Sequence, residues 1–122
     1  MTANDWSDAI LRWSMSGVFL WFGFHQMQDT SAWVSYVPDW ALIFGLSKQM
    51  LVLMNGWIEI VAGLMLLAGF YIRPVALLLG LHLAVIAYSL GGGPITIRDF
   101  GLAIATITVF LRGADPLSVD AR

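Results

Sequence analysis

Glu59 is the only charged residue in the 24 positions between Lys48 and Arg73, all the rest being apolar or neutral. An ionisable group held away from water costs about 2.5 kcal/mol or more unless it is paired or solvated, so its presence asks for a partner or a purpose. Asn55 precedes it by one helical turn and Gly63 follows by one, which puts the three on a single stripe of a helix. His82 sits near the middle of the next uncharged run, between Arg73 and Arg98. Glu59 is expected to reach His82 across two neighbouring helices and so satisfy both groups without water. Such a pair can relay a proton or hydrogen-bond a carbonyl ligand. It can equally act as interhelical glue of about 0.5–2 kcal/mol. His25 lies towards the end of an earlier apolar run, on a face with Ser14, Gly17 and Trp21, where a solvated end group is the plainer reading. Arg98-Asp99 admits two readings. Either Arg98 snorkels while Asp99 caps a helix, or the pair enters the bundle and Arg98 faces a carboxylate or bound anion, with Asp99, Ala103 and Thr106 on one stripe. Glu59, His82, Asn55, Arg98, Asp99 and His25 are therefore the candidate binding residues, and none is assigned a catalytic step.

Two histidines on separate helices also raise a bis-histidine haem. Their depths differ by about six residues, roughly 9 Å along a helix, which a flat haem between parallel helices fits badly. A His/Glu metal site has no better support. The cofactor stays open, with a quinone among the candidates and haem disfavoured. The chain has no Cys, which removes disulfides, CxxC redox chemistry and thiolate metal sites. A net charge of −2 without any basic run gives no reason to expect nucleic acid.

These groups must be positioned by elements that suit lipid. Of 122 residues, 59% are hydrophobic and only 11% charged, against about 25% charged in soluble domains, and the mean hydropathy is +0.79. A soluble domain and a disordered chain are both excluded by these values. The bilayer accepts helices or closed barrels, and continuous runs such as 61–70 and 75–83 read as helix. The expected fold is all-α: a single membrane domain over 1–122, a four-helix bundle with spans at about 8–28, 49–71, 74–91 and 95–112. Pro74, just after Arg73, suits a first helical turn, so the second and third spans are expected to form a tight antiparallel hairpin. Segment 29–47 is too apolar for a plain loop and too short to cross. Its Pro38 and its aromatics Trp33, Tyr36 and Trp40 suggest one or two short pieces in the interface, either a lid over the bundle or, more simply, an aromatic anchor. The acidic start of the chain is wrong for a cleaved signal, so the first span is expected to remain. Arg12, Arg73, Arg112 and Arg122 fall on one side and Lys48 and Arg98 on the other. The positive-inside rule then puts both termini in the cytoplasm, in the cell's inner membrane. Ala76, Gly80 and Ala84 form a small-residue face that lets another helix come close.

The stretch 55–74, with Glu59, Gly63, Gly69 and Arg73, resembles the second-span signature of the DoxX family of small bacterial and archaeal membrane proteins. The run from Arg12 to Gln28 resembles the family's first span, but departs from it at 24–28, where the usual Gly and Lys are missing. The tail from Gly113 to Asp120 is similar to the family's closing Gly-x-x-x-x-Ser-x-Asp pattern. The resemblance implies a four-helix membrane bundle, and named members are linked to quinone-coupled thiosulfate oxidation and to oxidoreductase complexes in thiol and oxidative-stress defence. The wider superfamily is similar to eukaryotic cargo receptors. The leading expectation is thus a redox-associated subunit that binds a quinone-like or other amphiphilic ligand, contacted by Glu59 and His82. Its electrons would come from a partner. The alternatives are a non-enzymatic assembly or receptor subunit for another membrane protein, using the Ala76/Gly80/Ala84 face, and a small transporter or proton pathway. Expected partners are the lipid bilayer and a second copy or another membrane protein.

Overall fold

The computed structural model describes residues 1–89 and 92–121, and among them every regular element is helical. The α-helices are α1 (Ala3–Gln28), α2 (Thr30–Trp33), α3 (Lys48–Ala68), α4 (Ile72–Ser89) and α5 (Pro94–Arg112). Single 3₁₀ pieces cover Val34–Tyr36, Asp39–Phe44 and Val119–Ala121.

Local chemistry sets the boundaries. Thr2 and Asp5 form a reciprocal capping box, which starts α1 five residues before position 8, the expected start. The Ser47 hydroxyl accepts the Met50 N–H and opens α3, and Gly69, at φ 77°, closes it in the left-handed conformation. Pro74 falls in the first turn of α4, where it removes no helical hydrogen bond. The expected end of that span, residue 91, lies outside the described residues, as does Arg122. Pro94 opens α5, so Arg98 and Asp99 belong to the helix rather than to a connection before it. Segment 29–47 is not a plain loop; it folds into α2 and two 3₁₀ pieces.

Three helices, α3, α4 and α5, are long and apolar enough to cross a membrane. Their outward faces agree, since Trp57, Val61 and Leu64 on α3, Leu81 and Val85 on α4, and Ile97 and Ile104 on α5 are all exposed. A contiguous apolar exterior of this kind suits lipid, not water.

The packing differs from the expected hairpin of the second and third spans. α1 lies antiparallel along α3, and α4 along α5, while α3 and α4 touch much less although only three residues join them. Small residues decide the partners. A Cβ on Gly23 of α1 would stand 2.8 Å from the Gly56 carbonyl oxygen of α3, and one on Gly80 of α4 would stand 2.5 Å from the Ile107 side chain of α5. The Ala76/Gly80/Ala84 face is accordingly covered from within the chain, with Ala76 and Gly80 buried.

The two chain ends meet at one end of the packet and are tied there by charge. Arg12 is 1% exposed, and its guanidinium donates to both carboxylate oxygens of Asp115, at 2.7 and 3.2 Å. The remaining amino group donates to the Leu66 and Leu67 carbonyls, at 3.0 and 2.5 Å. These carbonyls belong to the last turn of α3, where few backbone donors remain; Leu66 also takes the Gly69 N–H at 3.1 Å. The Asp120 carboxylate accepts the Tyr71 and Ile72 N–H groups at 2.8 and 2.7 Å, which does the same for the start of α4. Asp8 and Arg112 pair nearby at 3.3 Å. The tail after α5 is thus a clasp over the α3–α4 turn.

Removing one partner of a buried ion pair strands the other. Asp115→Asn is expected to destabilise the fold by about 3 kcal/mol, read by chemical unfolding in detergent followed by circular dichroism. Arg12→Met combined with Asp115→Leu is expected to recover most of that loss, because no charge is then left alone. At the other end of the packet, the Lys48 ammonium sits 2.9 Å from Asp39 and, by its hydrogen bond and then its charge, holds the Asp39 carboxyl below the usual carboxylate range. A lowered carboxyl stabilises the fold above its unfolded pKa and ceases to do so as pH falls through the folded one. Lys48→Met is expected to return Asp39 to the ordinary range in an NMR pH titration.

Candidate functional site

Away from the clasp, the four long helices and the 29–47 segment enclose one cavity of about 540 Å³, inside the roughly 300–1,000 Å³ typical of small-molecule sites. Its wall is aromatic, with Trp21 and Phe22 from α1 and Trp33, Tyr36 and Trp40 from the segment. The segment therefore covers part of the cavity, which an anchor lying apart in the interface would not do.

Polar groups gather on one side of this cavity, one set from each long helix. Glu59 on α3 is 4% exposed. Its Oε1 accepts an Asn55 amide N–H at 2.9 Å, and its Oε2 accepts the Gln26 amide at 3.4 Å. Asn55 gives its other N–H to Gln26 Oε1 at 2.7 Å. Its own Oδ1 is bonded to His82 Nε2 on α4. An amide oxygen only accepts, so Nε2 carries the proton and donates. The result is a chain of hydrogen bonds from His82 through Asn55 to Gln26 and Glu59. The close approach of Gly23 and Gly56 is what allows this. Gln26 and Asn55 lie next to the contact, and a Cβ on Gly23 would meet the Glu59 side chain at 3.2 Å.

The expected direct Glu59–His82 contact is replaced by this relay. Because α3 and α4 stand apart, the Asn55 side chain fills the space between them and holds both partners. On α5, Asp99 is buried and accepts from Arg98 Nε at 3.3 Å. Both line the cavity, Asp99 from within the packet and Arg98 from its exposed edge. Arg98, its side chain 55% exposed, packs its guanidinium 5.9 Å from the Phe22 ring centre. His25 stands outside this group. It stacks on Trp21 with ring centres 3.9 Å apart and bonds the Trp21 carbonyl through Nδ1 at 2.8 Å.

Gln26 is the site residue that sequence reasoning missed. A signal was present: Arg12, Ser16, Phe19, Gly23 and Gln26 follow helical spacing, and all five are buried. That stripe runs from the clasp to the cavity and carries a polar group at each end.

An all-helical packet with an apolar exterior and polar side chains turned inwards defines a multi-pass membrane protein. The model of the DoxX family matches residues 7–92, and the chain belongs to that family. No curated protein and no solved structure matches it.

Asn55 joins three helices through one side chain, so its removal leaves polar groups without partners on each. Asn55→Ala is expected to lower stability by about 1–2 kcal/mol, the upper range for hydrogen bonds between membrane helices. Unfolding in mixed micelles against a denaturing detergent measures this. Leu46→Ala, outside the cavity wall, serves as the comparison.

Proposed function

We propose that this protein is a redox-associated membrane subunit whose helix bundle holds the head of a quinone-like amphiphile. The reading takes the whole chain as one four-span domain, with α1 as the span beside α3, α4 and α5. It places both termini in the cytoplasm and the aromatic segment at the outer face of the inner membrane. One observation carries it. The chain of hydrogen bonds linking Gln26, Glu59, Asn55 and His82 forms the polar side of an aromatic cavity large enough for a ring and the first part of a tail. Flat aromatic walls suit a flat head by offset or edge contacts, and the polar side suits its oxygens. The DoxX family's association with quinone-coupled oxidation agrees. The chain's own described residues bind and orient; electron transfer belongs to a membrane-bound partner.

The assembly-subunit alternative draws on a second feature. A sideways-open, almost wholly apolar groove between α3 and α4 is lined by Trp57, Val61, Met65, Pro74 and Leu78. The Ala76/Gly80/Ala84 face, expected to serve that role, is occupied by α5.

Organic extraction of the purified protein is expected to release a quinone or related isoprenoid at about one molecule per chain, and Glu59→Gln is expected to lower that yield at least about fivefold, the loss of roughly one hydrogen bond to a charged group. An empty extract together with unchanged quinone-linked activity in Glu59→Gln would remove the proposal.

A further inference from the structure

We infer that the apolar groove between α3 and α4 holds the tail of the same amphiphile whose head fills the cavity, so that one ligand lies along a single seam of the bundle. This rests on the reading of the cavity as a site for a quinone-like head and adds where the rest of the molecule goes.

Cavity and groove are two stretches of one cleft. On α3 the cavity takes positions from Leu51 to Glu59 and the groove those from Trp57 to Met65. On α4 the cavity takes positions from His82 to Ser89 and the groove those from Pro74 to Leu78. Ile58 lines both. It stands at the threshold between the polar site and an almost wholly apolar channel. The groove measures about 620 Å³. Its floor is made by Ala62 and Val75, both buried, and its rims by Trp57, Val61 and Leu78, all more than half exposed. From Trp57 to Met65 the helix rises about 12 Å, which matches a decyl-sized tail.

Other ways out of the cavity are closed or charged. α1 meets α3 at Gly23, and α4 meets α5 at Gly80, with no room for even a Cβ. The seam between α1 and α5 carries the Arg98 guanidinium over Phe22, beside Asp99, and further along it the Asp8–Arg112 pair. A hydrocarbon tail laid there would desolvate charges. The α3–α4 seam leads from the cavity to bare hydrocarbon surface along a groove lined by no charged residue.

A partner's helix suits the groove less well. Helices associate in lipid through small residues that let backbones approach, and those of α3 and α4 are already occupied. Gly56 faces Gly23 and Met27, Gly63 faces Leu20, and Gly80 faces Ile107. The rims left over are bulky side chains, between which a flexible chain threads and over which a rigid helix rides.

Photo-crosslinking on the full chain in lipid nanodiscs, one chain per disc, tests this. Two probes are decyl-benzoquinones, one with a diazirine at the tail end and the other with it on the ring. A phosphatidylcholine with the same group at the end of its tail is the control. Adducts are mapped by peptide mass spectrometry, with and without an excess of plain decyl-benzoquinone. The tail probe is expected to label Trp57, Val61 or Met65, and the ring probe the cavity wall, both competed by the plain quinone. Ile58→Trp at the threshold and Leu78→Trp at the rim each narrow the groove. Each is expected to lower tail labelling there at least about fivefold, the low end of what overpacking costs. Both positions are exposed, and helicity is checked by circular dichroism so that either variant alone suffices. Competed ring labelling in the cavity with tail labelling elsewhere overturns the inference and leaves the site reading intact. Groove labelling unchanged in both variants does the same. So does equal labelling by the phosphatidylcholine that plain quinone fails to displace, which makes ordinary lipid the occupant. Loss of groove labelling when two chains share a disc makes a second copy the occupant and also overturns it. No competed labelling by either probe overturns the inference and the site reading together.

Discussion

A guanidinium sealed from solvent constrains everything around it. Arg12 is almost wholly buried, and in a medium without water its positive charge and its hydrogens must all find protein partners. It finds them in a carboxylate from the tail and in the carbonyls that end α3. One side chain therefore joins the first helix, the end of the third and the segment beyond the fifth. Asp120 complements this by meeting the first amides of α4. Helix ends are where a membrane fold is most exposed to unpaired backbone, and here Arg12 answers the end of α3 while the tail answers the start of α4. The separation of α3 and α4 is possible because their junction is held in this way rather than by contact along their lengths.

That separation makes the candidate site. Were α3 and α4 in close contact, Glu59 could touch His82 and no cavity would remain. Standing apart, they leave a gap that Asn55 crosses and that aromatic rings from α1 and the 29–47 segment enclose. Polar residues at depth then have two uses that do not compete. Their mutual hydrogen bonds stabilise the interior, and their remaining lone pairs face an open volume.

Much of this was legible in the residues because lipid imposes simple rules. Charges at Arg12, Lys48, Arg73 and Arg112 bracket the long apolar runs, and Gly69, Pro74 and Pro94 mark the junctions between helices. An isolated Glu59 drew notice for the same reason. What stayed hidden was pairing. The positions of Gly23, Gly56 and Gly80 hold the information about which helices approach closely, but a glycine on one helix does not name the helix it faces. The same gap explains Gln26, whose meaning depends on lying opposite Asn55 and Glu59, and Arg12, which looks like an ordinary boundary charge until Asp115 is set beside it. His25, by contrast, has the right chemistry but the wrong direction, a matter of a quarter-turn about α1.

The molecule is therefore made of two stiff halves, α1 with α3 and α4 with α5, riveted together where the chain ends meet. Two rods fixed at one end part most readily at the other, in the manner of tweezers. The void lies at that freer end, bridged by an amide and roofed by a short aromatic strap. The electrostatic knot at the riveted end fixes the register of all four rods, so the shape of the void is set from the opposite end of the molecule.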